Sequence, residues 1–273
     1  MTASGAGAAA DSAANSRPMG WLARIGLTAR GLVYLVIGWL AILVGLGGQA
    51  NIDQRGALTE ILAQPYGRVM LWLLTIGFAA YALWRLSESA FGVTGRGKKV
   101  GPRLRSLARA IAYVAMAFTA WSLLQGASGT QAGKQGAIAG TVMQHAGGRW
   151  LVGIIGVIVV VVGLLLVRAG WKTEFLRYFG ALPRRMRTPV TRLGRTGTIA
   201  RGIVFTVSGL LVVVAALTAD PAKAGGVDQA FQTLLEQPFG TVLVVLLGAG
   251  LVIFGLYGLA EAAWRRVTDE GGS

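Results

Sequence analysis

Apolar residues fall into six long runs, and the stretches 31–52, 69–84, 110–133, 150–167, 202–219 and 237–260 contain no charged residue. Each run is long enough, or nearly so, to cross roughly 30 Å of hydrocarbon as a helix. The second is short at sixteen residues, but Arg68 and Arg85 flank it with aliphatic stems that can carry their charges out to the headgroups, so it counts as a span. Between the first two spans Ala57, Leu58, Ile61 and Leu62 recur at helical spacing, as do Ala230, Phe231, Leu234 and Leu235 between the last two. These stretches predict short amphipathic helices that lie at the interface or cover the end of the bundle. The pattern therefore predicts an all-α polytopic membrane bundle of six transmembrane helices.

The spans repeat in pairs. Unit one opens Arg30-Gly31-Leu32-Val33-Tyr34, continues with Gly56-Ala57-Leu58 and reaches Gln64-Pro65-Tyr66-Gly67 before its second helix. Unit three opens Arg201-Gly202-Ile203-Val204-Phe205 and reaches Gln237-Pro238-Phe239-Gly240. The central unit is degraded to Arg109-Ala110-Ile111-Ala112-Tyr113, Gly136-Ala137-Ile138 and Gln144-His145-Ala146-Gly147. Each unit crosses twice and ends where it began, so the copies share one orientation and pseudo-threefold symmetry about the membrane normal is expected. The expected organisation is a disordered cytoplasmic tail at 1–19, repeat one at 20–92, a degenerate repeat two at 93–178, repeat three with its basic linker at 179–266, and a tail at 267–273. Proline in the Gln-Pro-aromatic-Gly element suits the first position of a helix, where it wastes no hydrogen bond. Small residues four apart, Ala41 with Gly45, Ala108 with Ala112 and Gly258 with Ala262, suggest close helix packing.

These openings and loops, with the close Tyr81-Ala82-Leu83-Trp84-Arg85-Leu86-Ser87-Glu88, resemble the bacterial membrane family known as domain of unknown function 1206 (DUF1206), over about Gly20 to Arg266. The resemblance implies a membrane fold built from about three such units. It implies no activity and supplies no catalytic residue. The central unit departs from the pattern by losing the proline and the closing acid.

Composition agrees with the spans: 54% of residues are hydrophobic and 14% charged, well below the quarter usual in soluble domains. The net charge of +15 is distributed unevenly. Arg17, Arg24, Arg30, the linkers 96–105 and 172–195, and Arg265 with Arg266 fall on one side, against Arg55, Arg68, Lys134, Arg149 and Lys223 on the other. The positive-inside rule then places both termini in the cytoplasm of a multi-pass protein of the cell (inner) membrane. Most of the basic excess reads as orientation signal and attraction to anionic lipid, and nucleic acid is disfavoured because the basic segments adjoin spans and lack aromatic platforms. The first sixteen residues lack the charged start and early apolar core of a signal peptide, and the first apolar run is expected to be retained as a span.

Candidate chemistry is sparse. The chain has no cysteine, which removes disulfides, thiol catalysis and cysteine-bound metal. Its single histidine, His145, stands alone in a loop. No phosphate loop or nucleophile elbow occurs, and no enzyme activity, metal or cofactor is expected. The informative polar residues are Glu88 and Glu261, each 24 positions after the Gln of its loop motif; the same step from Gln144 lands on Arg168. Ionisable groups near hydrocarbon need partners, so Arg30 with Glu88 and Arg201 with Glu261 are the expected pairs within units, with Arg85 to Glu88 and Glu261 to Arg265 as alternatives along one helix, and Arg109 completes a polar ring. Gln64, Pro65, Gly67, Gln144, Gln237, Pro238 and Gly240 form the repeated loop motif. Lys172, Arg177, Arg184, Arg185 and Arg187, mixed with Trp171, Phe175, Leu176 and Phe179, suit an interfacial helix on anionic headgroups that Pro183 and Pro189 then break. The function expected is a non-catalytic scaffold or partner-binding subunit, whose partners are the bilayer and an unidentified membrane protein. The alternative is a small-solute or ion transporter with a path along the pseudo-threefold axis. The two part on whether the charged side chains face a water-accessible axis or are sealed by apolar residues.

Overall fold

A computed structural model describes residues 17–91, 100–179 and 182–264. They form helices and no strands. The order is α1 (Arg17–Gly45), α2 (Gln54–Ala63), α3 (Gly67–Phe91), α4 (Val100–Leu124), α5 (Gln131–Met143), α6 (Gly148–Trp171), a 3-10 turn (Glu174–Tyr178), α7 (Arg184–Thr218), a second 3-10 turn (Pro221–Ala224), α8 (Gly226–Leu235) and α9 (Gly240–Trp264). Six of these helices, α1, α3, α4, α6, α7 and α9, are long and apolar enough to cross a bilayer. Each repeat is thus a span, a short linker helix and a second span. The chain is a multi-pass membrane protein whose three linker helices gather at one end.

The closest helix pairs lie between units: α3 with α4, α6 with α7, and α9 with α1. The second helix of each unit therefore packs on the first helix of the next, and the last unit returns to the first. Contacts within a unit are looser, α7 with α9 and α1 with α3, while α4 and α6 of unit two make no comparable contact. That missing contact leaves the flank between α4 and α6 thin.

Glycines at every seventh position make two of the seams. Gly31, Gly38 and Gly45 on α1 meet α9 around Gly248 and Gly255; Gly156, Gly163 and Gly170 on α6 meet α7 around Gly202 and Gly209. A methyl added at Gly38 would lie 2.5 Å from Val252 N and 2.6 Å from Gly248 O, so the backbones touch. A period of seven holds small residues on one face along a whole helix pair, which spacings of four capture only locally. Without a hydrophobic drive between helices in lipid, this close approach supplies the dispersion that holds the pair. The α3/α4 seam is made differently, by Tyr81 against Tyr113 at 4.3 Å between ring centres and by buried Ala82 and Ala110.

The predicted linker helices form, and they are packed rather than lying on a surface. Ala57, Leu58, Ile61, Ala230 and Phe231 are buried, while Leu62, Leu234 and Leu235 pack against the same core. Asp53 caps α2 by accepting from Gly56 N at 2.7 Å, and Thr130 caps α5 by accepting from Gly133 N at 3.0 Å. At the re-entry into α3 and α9 the prolines stand two residues before the first helical residue, not at it. The aromatic between them takes the left-handed conformation, Tyr66 and Phe239 both at φ 62°. The glycine then starts the helix because a methyl at Gly67 would fall 2.3 Å from Leu62 O.

Three expectations at the other end are corrected. Pro189 does not break a helix, since it sits in the second turn of α7, where only one backbone bond is lost. Phe175 and Phe179 do not rest on lipid; they turn inward and stack on Tyr257 with ring centres 5.2 and 5.9 Å away. Arg85 likewise does not reach outward: it is 2% exposed, donates to Tyr81 Oη at 2.6 Å and lies 4.2 Å over the Trp84 ring.

Candidate functional site

The middle of the bundle holds two arginines brought there by equivalent helices. Arg30 lies fifteen residues from the linker end of α1 at Gly45, about 22 Å along the helix. Its Nη2 donates to Glu261 Oε2 at 2.5 Å, with both side chains largely buried. This corrects the expected pairs, because Glu261 serves Arg30 across the seam between units and not Arg201 within its own. The glycine seam sets the choice by holding α9 closer to α1 than to α7. The side chain of Glu88 lies outside the described residues. Arg109 and Arg168 are exposed.

The seams also correct the register of unit two. Gly67 N and Gly240 N donate to Gln64 O and Gln237 O at 2.8 Å, and the equivalent bond in unit two runs from Gly148 N to His145 O at 2.9 Å. His145, not Gln144, is therefore the structural counterpart of the motif glutamines. Twenty-four residues on stands Ala169 rather than Arg168. The seams agree: Gly31 meets Gly255 as Gly202 meets Gly163, and six residues beyond lie Glu261 in one case and Ala169 in the other. The position equivalent to Glu261, which pairs with Arg30, is thus an alanine in the unit that precedes Arg201.

Arg201 is consequently left to the rings. Its guanidinium carbon lies 5.2 Å from the centre of Tyr34, 5.1 Å from Phe205 and 5.0 Å from Phe254. Its Nε is buried without a hydrogen-bond partner, and among the described residues Arg201 has neither a hydrogen bond nor an ion pair. Each ring over a cation contributes about 0.5–2 kcal/mol. Removing an ion from water without a counter-charge costs several kcal/mol, so the rings offset part of the cost and leave the cation unneutralised.

Both arginines face a cavity of about 470 Å³ between α1, α4 and α7, roofed by α2 and α5. Four cations line it, Arg30, Arg55, Lys134 and Arg201, and no acid does. The roof is tied across units. Arg55 donates from Nε to Gly129 O at 2.7 Å and from Nη2 to Ala127 O at 2.7 Å and Ser128 O at 3.2 Å, so its charge is spread over loop carbonyls. Gln131 bonds Gln54 at 3.1 Å, and Asp228 of unit three accepts from Ile52 N at 2.7 Å. Gln135 Oε1 is buried without a partner. Ala112, Ala115 and Ile138 on the α4 side are both lining and exposed, so the cavity opens on the flank where α4 and α6 stay apart. A second groove of about 550 Å³ between α6 and α7 is almost wholly apolar, and its one cation, Arg149, already donates to Ala216 O and Leu217 O.

With four cations and no acid in its lining, the cavity attracts negative charge. Among the described residues no cluster of metal-ligating side chains occurs. His145 is exposed, with Nδ1 2.9 Å from Thr141 O in its own turn. Lys172, Arg184, Arg185 and Arg187 are exposed at the end opposite the linker helices, and the Arg177 side chain lies outside the described residues. Burial raises the Asp53 carboxyl above its usual range, with Asp228 nearby adding to the effect, and burial raises Asp228 as well. The residues missed from sequence are Tyr34, Phe205, Phe254, Arg55, Lys134 and Gln135, because an aromatic in an apolar run reads as packing. One signal was present: Arg201 and Phe205 are four apart on a helix, which sets the ring beside the guanidinium.

Residues 25–92, 104–173 and 196–265 match the family described as Domain of Unknown Function (DUF1206). The chain is also similar to "Uncharacterized protein YxxB" of Bacillus subtilis (strain 168), with 28% identity over 254 residues, which span 90% of this chain and 91% of the relative. No solved structure matches.

Proposed function

The chain belongs to the DUF1206 family, and from the geometry of its centre we propose that it binds a small solute in the cavity between α1, α4 and α7 and passes it along the bundle axis. The observation that carries this reading is the cavity itself: about 470 Å³, the size of a small-molecule site, reaching from the roof to Arg30 and Arg201 at mid-helix. A pure scaffold gains nothing from an uncompensated Arg201 beside an open cavity, and an apolar side chain in its place would cost less. The cyclic order of the seams supports a pseudo-threefold relation in which the first helix of each unit faces the axis. The charge asymmetry supports a cell-membrane orientation with cytoplasmic termini and the roof helices outside. In that orientation the exposed Lys172, Arg184, Arg185 and Arg187 lie level with anionic headgroups of the inner leaflet.

The chain has no cysteine, so single cysteines test both points without background. Met116 lines the cavity, whereas Phe118 on the same helix is 64% exposed and does not. In lipid vesicles a charged thiol reagent is expected to modify Met116→Cys faster than Phe118→Cys. Uptake of labelled phosphate, acetate, chloride or potassium above protein-free vesicles should fall on that modification. An unreactive Met116→Cys, with uptake equal to empty vesicles throughout the panel, refutes the reading. Orientation is read separately in intact cells, where an impermeant reagent should label Ser128→Cys and spare Lys172→Cys; the reverse pattern inverts the topology.

A further inference from the structure

We propose that Arg201 holds an oxyanion, the phosphate or carboxylate of its ligand, in the place that the missing third acid of the repeat leaves vacant; this rests on the cavity reading and names the class of solute. Each inner helix carries one of the equivalent arginines, Arg30, Arg109 or Arg201, and the second helix of the preceding unit has an acid at the matching position in two of the three cases, Glu261 for Arg30 and Glu88 for Arg109. Glu261 fills that place for Arg30, and Ala169 stands in it for Arg201. Exchange of an acid for a methyl group ordinarily leaves a cation to be replaced as well, yet here the arginine remains, gripped by three aromatic rings that fix its plane and leave its Nε without a partner. A planar fork of donors held against ring faces is suited to a two-oxygen acceptor.

The surroundings agree on sign. No acid lines the cavity, Arg30 is already neutralised, Arg55 is bonded to loop carbonyls, and Lys134 stands exposed at the entrance, where it raises the local concentration of anions. The remainder of the lining, Leu58, Met116, Tyr113 and Phe205 among it, suits an apolar or aromatic body attached to the anion. Two routes lead in, from the water at the roof and sideways from lipid past Ala112 and Ala115. The same anionic chemistry therefore arrives either on a dissolved solute or on a lipid headgroup.

The test is equilibrium binding to the full chain in neutral detergent, read as the rise in Tm with probe concentration. The probes are inorganic phosphate, acetate, a short-chain phosphatidylglycerol, and phosphatidylcholine of the same chain length as the neutral control. At least one anionic probe is expected to raise Tm where phosphatidylcholine does not. Ala169→Gln should keep that response, and Ala169→Glu, which supplies the internal acid, should weaken it at least tenfold. A response to phosphate or acetate assigns a dissolved anion; a response to phosphatidylglycerol alone assigns a lipid headgroup, and both support the site. Wild-type affinity in Ala169→Glu, or no anionic probe acting beyond phosphatidylcholine, overturns it. Should Ala169→Glu not fold, Arg201→Gln decides, and undiminished binding there overturns the proposal equally. No gradient is applied, so a failure of transport leaves this result standing, while flux through wild-type protein that Ala169→Glu does not change refutes Arg201 and spares the cavity.

Discussion

Two glycines on one helix facing one neighbour give the sharpest test of what holds the bundle together. Gly163 and Gly153 both lie on α6 against α7. A methyl added at Gly163 would sit 2.4 Å from Thr206 Oγ1, 2.6 Å from Thr206 N and 2.8 Å from Gly202 O. Two of those atoms are backbone and cannot rotate away, so the helices must part by roughly 1 Å to reach ordinary contact, which forfeits dispersion along the seam. Added bulk in a tight site costs about 1–3 kcal/mol, and backbone contact places Gly163→Ala at the upper end. Higher helix propensity returns about 0.5–1 kcal/mol. The net loss is on the order of 2 kcal/mol. At Gly153 the added methyl meets only Ala216 Cβ at 3.5 Å, an ordinary contact, so Gly153→Ala keeps the propensity gain and should be neutral or slightly stabilising. Thermal or denaturing-detergent unfolding of both variants in one detergent, followed by tryptophan fluorescence, measures the difference. Equal stability of the two, or a less stable Gly153→Ala, refutes the view that backbone contact at period seven builds the seam.

Three further outcomes follow from the charged groups. Glu261→Gln should lower stability by about 1–3 kcal/mol, because Arg30 keeps only the Phe254 ring and a neutral acceptor, and a double-mutant cycle with Arg30→Gln should show coupling between the two sites; additive effects count against the pair. Arg55→Lys should loosen the roof by about 1–2 kcal/mol, since an ammonium cannot reproduce the fork that reaches three carbonyls, and faster hydrogen exchange at residues 126–130 is the readout. Burial raises Asp53 and Asp228, so the folded state holds their protons more tightly than the unfolded chain, and the stability they contribute declines as pH rises above the ordinary carboxyl value near 4. Asp53→Asn keeps an oxygen for Gly56 N and should flatten that slope in melts between about pH 4 and 7; a slope unchanged from wild type shows the carboxyl is not its source.

Features that depend on a residue's own chemistry or on neighbours a few positions away can be read from the amino-acid order alone. The six spans were legible because transfer of a helix into hydrocarbon is close to additive over its residues. The linker helices were legible because Ala57, Leu58 and Ile61 return to one face within a turn or two. The three units were legible because similar openings and loops recur at nearly the same spacing. Arg30, Arg201 and Glu261 were recognised as important for the same local reason, since a charge in an apolar run must be compensated. Tertiary structure decided who compensates whom. Partner choice depends on which helices touch, and here glycine seams place each second helix against the next unit, so Glu261 crosses to Arg30. A shift of one residue at His145, invisible in the letters Gln144-His145-Ala146-Gly147, turns a helix face by about 100° and exchanges Arg168 for Ala169. The cavity followed from the spacing of α1, α4 and α7 beneath the linker helices. Both are properties of how separate helices are rotated and spaced, and no periodicity along one chain segment encodes either of them.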